Sequence, residues 1–253
     1  RHDTHARFIV EALNNNKNVF AEKPLCLNFA ELKKITDLWQ IKKDKGLRLM
    51  VGFNRRFSPL VQTCKNALKS IDCPASFIIT VNAGAVPADH WTQDSESGGG
   101  RIAGEACHFI DLLRFLAGSE IISVQTAFMN DPQAENRIPD SASITVTFAN
   151  GSIGTVHYFA NGNKDFPKER IEIFANGGIL QIDNFKSLTN YGFGNTKNQS
   201  LWAQDKGHAS CVAEFVDAIK NAKPSPIEPE EIFETAKATL QAAGLNNNEA
   251  TDA

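Results

Sequence analysis

Three stretches of the chain hold side chains whose types and spacing suit acid–base chemistry on a small molecule. Glu22-Lys23-Pro24 follows the short apolar run Asn18-Val19-Phe20-Ala21. Proline biases the preceding residue toward extended backbone, so Lys23 is expected outside any helix, at the end of a strand. In open α/β sheets that carboxyl edge is where ligands bind. A lysine there can bond a substrate hydroxyl and, partly desolvated, act as acid or base. The competing reading is a solvated surface lysine, the commoner fate of the residue.

Gly98-Gly99-Gly100 precedes a helical stretch bearing Glu105, His108, Asp111 and Arg114. Glycines let backbone approach a ligand, and a helix start offers free N–H groups to negative charge. Glu105, His108 and Asp111 are spaced by three, so one helical face presents an imidazole between carboxylates, suited to accepting a proton. Against this stands a capping loop with a histidine satisfied by packing. Asn54-Arg55-Arg56-Phe57 ends the apolar run 47–53, so Asn54 and Arg55 either bond a phosphate or sugar or pair with acids at a domain junction. His90, Trp91 and Asp94 lie in the loop before the glycines, where an aromatic either covers a flat ring or anchors the loop. Cys107-His108 has no second ligand pair, so no metal is expected; His157 and His208 read as structural.

The elements that must position these groups alternate helix and strand over residues 1–57. Phe8, Ile9, Ala12 and Leu13 recur at helical spacing; Asn28 and Glu31 resemble an N-cap with its capping acid; Leu32, Ile35, Leu38 and Trp39 continue a helix that Gly46 can end. Strand, helix, strand predicts a parallel pair with a right-handed crossover. Beyond Pro59 the pattern becomes a helix at 61–69, a strand at 76–82, a long Pro, Asp and Gly-rich loop at 83–100, and a helix at 104–116 with Gly118 as its cap. Five strands follow (121–128, 142–149, 152–159, 170–175, 179–183), with Asn150-Gly151 and Asn176-Gly177 as hairpin turns, predicting an antiparallel meander. Two helices, one with Val212, Phe215, Val216 and Ile219 as its apolar face, the other with Ile232, Ala236 and Leu240, precede a polar tail at 246–253.

With 253 residues, 26 basic against 29 acidic side chains and a net charge of -3, the chain lacks the footprint of a nucleic-acid or anionic-membrane binder. Five scattered cysteines without a CxxC pair read as reduced thiols, and no apolar run reaches the roughly 18 residues of a membrane span; a cytoplasmic protein is expected.

Arg1-His2-Asp3-Thr4-His5, residues 18–25, Val51-Gly52-Phe53-Asn54-Arg55-Arg56-Phe57 and the stretch from Gly98 to Asp111 together resemble the glucose-fructose oxidoreductase, inositol dehydrogenase and MocA family. The resemblance implies the carboxyl-terminal part of a Rossmann domain at 1–57 and an α+β domain with an open, mostly antiparallel sheet at 58–253, the latter for substrate and homo-oligomer contacts. It implies NAD or NADP as cofactor and a sugar or cyclic polyol as substrate. It assigns catalysis to Lys23 and His108, with Glu105 as the acid nearest the place, here Gly104, where many members carry an aspartate. Cofactor contacts are implied for His2, His5, Glu22, Lys23, Pro24, Asn54, Arg55 and Trp91. The Gly-Arg-Ile-Ala-Gly-Glu stretch with Cys107-His108 is also similar to the dehydrogenase module of two-module enzymes of polysaccharide synthesis, which implies a nucleotide-linked sugar. No GxGxxG follows a strand and the chain opens on Arg1, so roughly 60 to 80 residues are expected upstream and the chain alone is expected to be inactive. The rival expectation is a ligand-sensing or assembly module on the same fold.

Overall fold

Short parallel strands with a long helix between them build the first unit of this computed structural model, which describes residues 1–130 and 138–245. Helix α1 (His5–Asn14) buries Ala6, Ile9 and Leu13, while Phe8 is left exposed. Strand β1 (Val19–Ala21) pairs in parallel with β2 (Leu49–Val51), Val19 opposite Leu49, through the crossover helix α2 (Phe29–Lys42). The predicted cap is real: Asn28 Oδ1 accepts the Glu31 N–H at 2.8 Å, and the Glu31 carboxylate reaches back to the Leu27 N–H at 2.8 Å. A 3-10 turn, Asn54–Phe57, leaves β2 and leads into α3 (Pro59–Leu68).

The second unit is an eight-stranded sheet. Its strands are β3 (Ser76–Asn82), β4 (Ile121–Phe128), β5 (Ala142–Phe148), β6 (Ile153–Phe159), β7 (Glu169–Ala175), β8 (Gly178–Asp183), β9 (Ser187–Tyr191) and β10 (Gln199–Ser200). Their order, β10-β9-β8-β7-β3-β6-β5-β4, corrects the simple meander. β3 lies between β6 and β7, parallel to the former and antiparallel to the latter, so residues 160–168 step over it. Phe77, Ile79 and Val81 of β3 are buried at the centre of the core, which explains why this strand takes two neighbours rather than an edge. β9 and β10 lie outside the predicted set; Ser187-Leu188-Thr189-Asn190-Tyr191 carries too little apolar alternation to be read as a strand.

Helix α4 (Cys107–Ala117) runs between the two units and is buried along nearly its whole length, continuing a π turn at Ile102–Ala106 and ending on Gly118 in the left-handed region. Helices α5 (His208–Lys220) and α6 (Pro229–Ala242) close the described chain. Their Phe215, Ile232, Phe233 and Leu240 pack into the core formed around α1, α2 and the parallel strands, so the chain returns to its first unit. On α5 the buried stripe is Cys211, Phe215 and Ala218, whereas Val212, Val216 and Ile219 are exposed, a correction to the expected apolar face. The predicted polar tail at 246–253 lies outside the described residues.

Candidate active site

Lys23 projects from the carboxyl end of β1, where its Nζ donates to the Gly104 carbonyl at 2.8 Å. The long loop and the π turn thereby come to the edge of the parallel pair. An ammonium has three donors and Gly104 takes one. The Lys23-Pro24 peptide is cis, and the Pro24 carbonyl accepts from His5 Nδ1 at 2.7 Å. Glu22 is exposed, its carboxylate beside Gly52.

His2 is buried under the same loop. Its Nδ1 donates to the Gly98 carbonyl at 2.8 Å, and its ring meets Trp91 edge-on at 4.8 Å and His5 at 5.6 Å. Burial lowers its pKa to about 4; the Gly98 bond opposes the shift, and the charges of Lys23 and His5 add to it. Trp91 is half-buried, with the Arg1 guanidinium 6.0 Å from its ring. Asp94 caps its own turn by accepting the Ser97 N–H at 2.6 Å. The glycine run meets protein rather than open space: a Cβ on Gly98 would lie 2.5 Å from Thr92 Cα, and one on Gly99 would meet Leu27.

His108, at the start of α4, is buried against the edge of Phe53, with ring centroids 6.2 Å apart. Desolvation drives its pKa well below the usual imidazole value, and the cations Arg55, Lys23, His208 and Lys206 push the same way, so the ring is neutral at physiological pH. Its Nδ1 is buried with no hydrogen-bond partner. The expected carboxylate neighbours have gone elsewhere. Asp111 takes two bonds from Arg56, at 3.0 Å from Nε and 2.5 Å from Nη2. Glu105 Oε2 accepts the Tyr158 hydroxyl at 2.7 Å and lies 3.7 Å from Arg101 and 3.8 Å from Lys168. Burial pushes the Glu105 pKa up, but Tyr158, Lys168 and Arg101 outweigh it and hold the carboxyl ionised. The π turn is the cause of the changed spacing, since it is wider than an α turn and carries Glu105 off the face expected from a regular i, i+3 count.

Of the two readings open for Asn54-Arg55, the structure shows pairing. Arg55 Nη2 donates to Glu169 at 2.7 Å, its guanidinium lies over Phe109 at 4.7 Å, and Asn54 donates to the Lys206 carbonyl at 2.7 Å. Glu169 is fully buried; Arg55 and Lys206, whose Nζ is 3.1 Å away, hold it ionised against the cost of burial. Tyr158, Lys168, Glu169 and Lys206 thus shape the site but escaped the sequence, because each meets its partner from more than 30 residues away, without a local motif; Arg101, four residues before Glu105, lay within the glycine-rich stretch without being singled out.

A parallel βαβ unit with a lysine at its carboxyl edge, followed by a mostly antiparallel sheet, is the frame of a Rossmann-type nucleotide-binding fold joined to an α+β unit. The chain belongs to the GFO/IDH/MocA family: residues 1–53 match the family's "Oxidoreductase family, NAD-binding Rossmann fold" and residues 74–181 its "GFO/IDH/MocA C-terminal domain". It is 30% identical over 190 residues to the uncharacterized oxidoreductase YrbE of Bacillus subtilis (strain 168), covering 73% of this chain and 54% of that protein. To the myo-inositol 2-dehydrogenase of Thermotoga maritima it is 27% identical over 192 residues, 74% of this chain and 55% of the relative. The chain therefore spans about half the length of the curated relatives it matches. Among solved structures, UDP-N-acetylglucosamine 3-dehydrogenase GnnA from Acidithiobacillus ferrooxidans superposes with a TM-score of 0.79 at 19% identity, covering 99% of this chain and 78% of that one. A levoglucosan dehydrogenase in complex with NADH and levoglucosan superposes with a TM-score of 0.79 at 20% identity, covering 96% and 76%. The Rossmann-type first unit and the mostly antiparallel second one are thus those of the family.

The family's fold binds NAD, and the residues present fit the nicotinamide end of such a cofactor: Lys23 spends one of three ammonium donors on the Gly104 carbonyl, and four residues beyond Gly104 the buried His108 carries an unpartnered Nδ1. The 253 residues contain no glycine fingerprint after a strand for the pyrophosphate. Among the described residues no helix is long and apolar enough to cross a membrane.

Proposed function

We propose that this chain carries the catalytic face of an NAD- or NADP-dependent dehydrogenase that oxidises a carbinol of a sugar, nucleotide-sugar or cyclic polyol. The observation that carries this reading is Lys23, held at 2.8 Å on the carbonyl of Gly104, four residues before the neutral His108. The bound cofactor supplies the hydride acceptor. Lys23 donates to the substrate hydroxyl oxygen and stabilises the negative charge that develops there. His108 receives the hydroxyl proton, a role open to it because burial keeps the ring unprotonated. Glu105, tied to Tyr158, acts on the shape and charge of the pocket. His2, His5, Glu22, Pro24 and Trp91 border the nicotinamide end, while Asn54 and Arg55, first expected there too, brace the junction through the Lys206 carbonyl and Glu169. In this reading residues 1–57 form the nucleotide side and 58–253 the substrate side.

The same proposal places the protein in the cytoplasm, supported by five unpaired cysteines, and pairs two copies through the outer sheet face, supported by exposed Ile122, Ile153, Phe159 and Tyr191. The similarity to the dehydrogenase module of polysaccharide synthesis favours the nucleotide-sugar among the substrates. Fluorescence titration of the natural polypeptide with NADH and NADPH tests the reading. Binding of either, followed by turnover with myo-inositol, levoglucosan or UDP-N-acetylglucosamine, is the expected outcome; failure to bind both overturns it.

A further inference from the structure

The lysine's hydrogen bond needs a carbonyl in an unusual place. Gly104 lies inside the π turn Ile102–Ala106, whose i→i+5 bonds are one residue wider than those of an α-helix and move carbonyls off the regular ladder. The Gly104 carbonyl accepts from Lys23 Nζ. The other face of the same residue is closed by an imidazole: a Cβ on Gly104 would stand 2.7 Å from His2 Cε1 and 3.2 Å from its Nδ1. No side chain fits position 104 while His2 keeps its place.

His2 is itself fixed at three points, by its Nδ1 bond to the Gly98 carbonyl, by the edge of Trp91 and by His5. His5 bonds the carbonyl of Pro24, the residue after Lys23. Two histidines three residues apart therefore clasp both sides of the site, His2 holding the loop that ends in the π turn and His5 holding the loop that carries the lysine. A carbonyl accepts only, so Nδ1 carries the proton in each bond. The clasp contains no carboxylate; the lysine is oriented by a backbone dipole and packed rings.

We propose that His2 is a positioning residue, which by filling the notch at Gly104 sets the carbonyl that orients Lys23. As a statement about catalysis this rests on the dehydrogenase reading; as a statement about where Lys23 points it does not. The two are separated by reading the lysine directly. In the natural polypeptide, labelled with 15N-lysine, the Lys23 ammonium resonance is assigned by its loss in Lys23→Met. It is then compared in His2→Ala, His2→Asn, Gly104→Ala and the double variant His2→Ala/Gly104→Ala.

The expected result is a Lys23 signal shifted or broadened in His2→Ala and Gly104→Ala and preserved in His2→Asn, whose amide N–H can still donate to Gly98. The double variant should be closer to wild type than Gly104→Ala alone, because the added methyl enters vacated space, a non-additivity expected of residues in contact. Where turnover is measurable, His2→Ala should lower kcat by about tenfold or more with KM changed less than about twofold, as misplacement of an orienting group does. His2→Asn should recover most of it. If His2→Ala fails to fold, judged by circular dichroism, Gly104→Ala and His2→Asn carry the comparison. An unchanged Lys23 signal in Gly104→Ala, and in His2→Ala where it folds, overturns the proposal; loss of cofactor binding with the signals behaving as expected overturns only the dehydrogenase reading.

Discussion

A buried imidazole makes a measurable statement about pH. Burial pushes the His2 pKa down from the ordinary 6.5 to about 4 in the folded chain. As pH falls below 6.5 the unfolded state binds a proton that the native state refuses, so stability declines from pH 6.5 down to about 4 and then levels. Urea unfolding across that range should show the decline, and His2→Asn should flatten it; an identical slope in the variant would remove His2 as its source. His108 shifts in the same direction, and if its neutral form accepts the hydroxyl proton as proposed, the acid limb of the oxidation rate should lie well below pH 6.5. Lys23→Met and His108→Ala should each reduce turnover by about a hundredfold or more with the fold retained, the loss expected of a positioned proton-transfer or orienting group; wild-type rates in both would sink the assignment. Glu105→Gln should be milder, within about tenfold, since its carboxylate is spent on Tyr158, Arg101 and Lys168; a loss as large as that of His108→Ala would make it part of the chemistry.

Among the elements, α2 shows local sequence and local structure in agreement. Its cap, its capping acid and its buried Leu32, Ile35 and Trp39 all stand where the spacing puts them, and Asn28→Ala should cost about 1 kcal/mol in thermal or urea unfolding without touching the site. α4 shows where local reading stops. A count of three residues along an α-helix places Glu105, His108 and Asp111 together, and a single π turn undoes the first of those pairings. α5 departs for a different reason: only the Cys211, Phe215, Ala218 stripe meets a partner, and a helix with apolar residues on two sides gives no internal sign of which side that is.

At the scale of the molecule, the two units are joined by buried charge. Arg56 comes from the turn after β2, Asp111 from α4 and Glu231 from α6, with Arg56 at 2.5 Å and 2.9 Å from the two acids. Arg114 extends the set to Glu234 at 2.8 Å. Burial already raises the Asp111 pKa to about 6 against the pull of Arg56, so Arg56→Met leaves Asp111 to take up a proton or stay unpaired, and should destabilise by about 3–5 kcal/mol in chemical denaturation at pH 8 and by less at pH 5. A loss under about 1 kcal/mol at both pH values would show that the buried pair does not hold the units together. The proposed pairing through the outer sheet belongs to this scale too: analytical ultracentrifugation should find a dimer that Ile153→Lys weakens, and a monomer at all concentrations would rule it out.

The sequence by itself determined what depends on near neighbours along the chain. Apolar period, capping residues and the Lys23-Pro24 step mark the parallel pair, the helices and the lysine at the strand end, because those preferences are set within a few residues. It also placed His108 beyond the glycines, and the family resemblance rested on these same short motifs. Only the tertiary structure decided the partners. That β3 separates β6 from β7, that Glu169 and Lys206 pair around Arg55, that Glu105 bonds Tyr158, and that His2 fills the space at Gly104 all join residues tens of positions apart. Such contacts are chosen by packing and by the need to satisfy buried polar groups, and neither has a local signature in the chain.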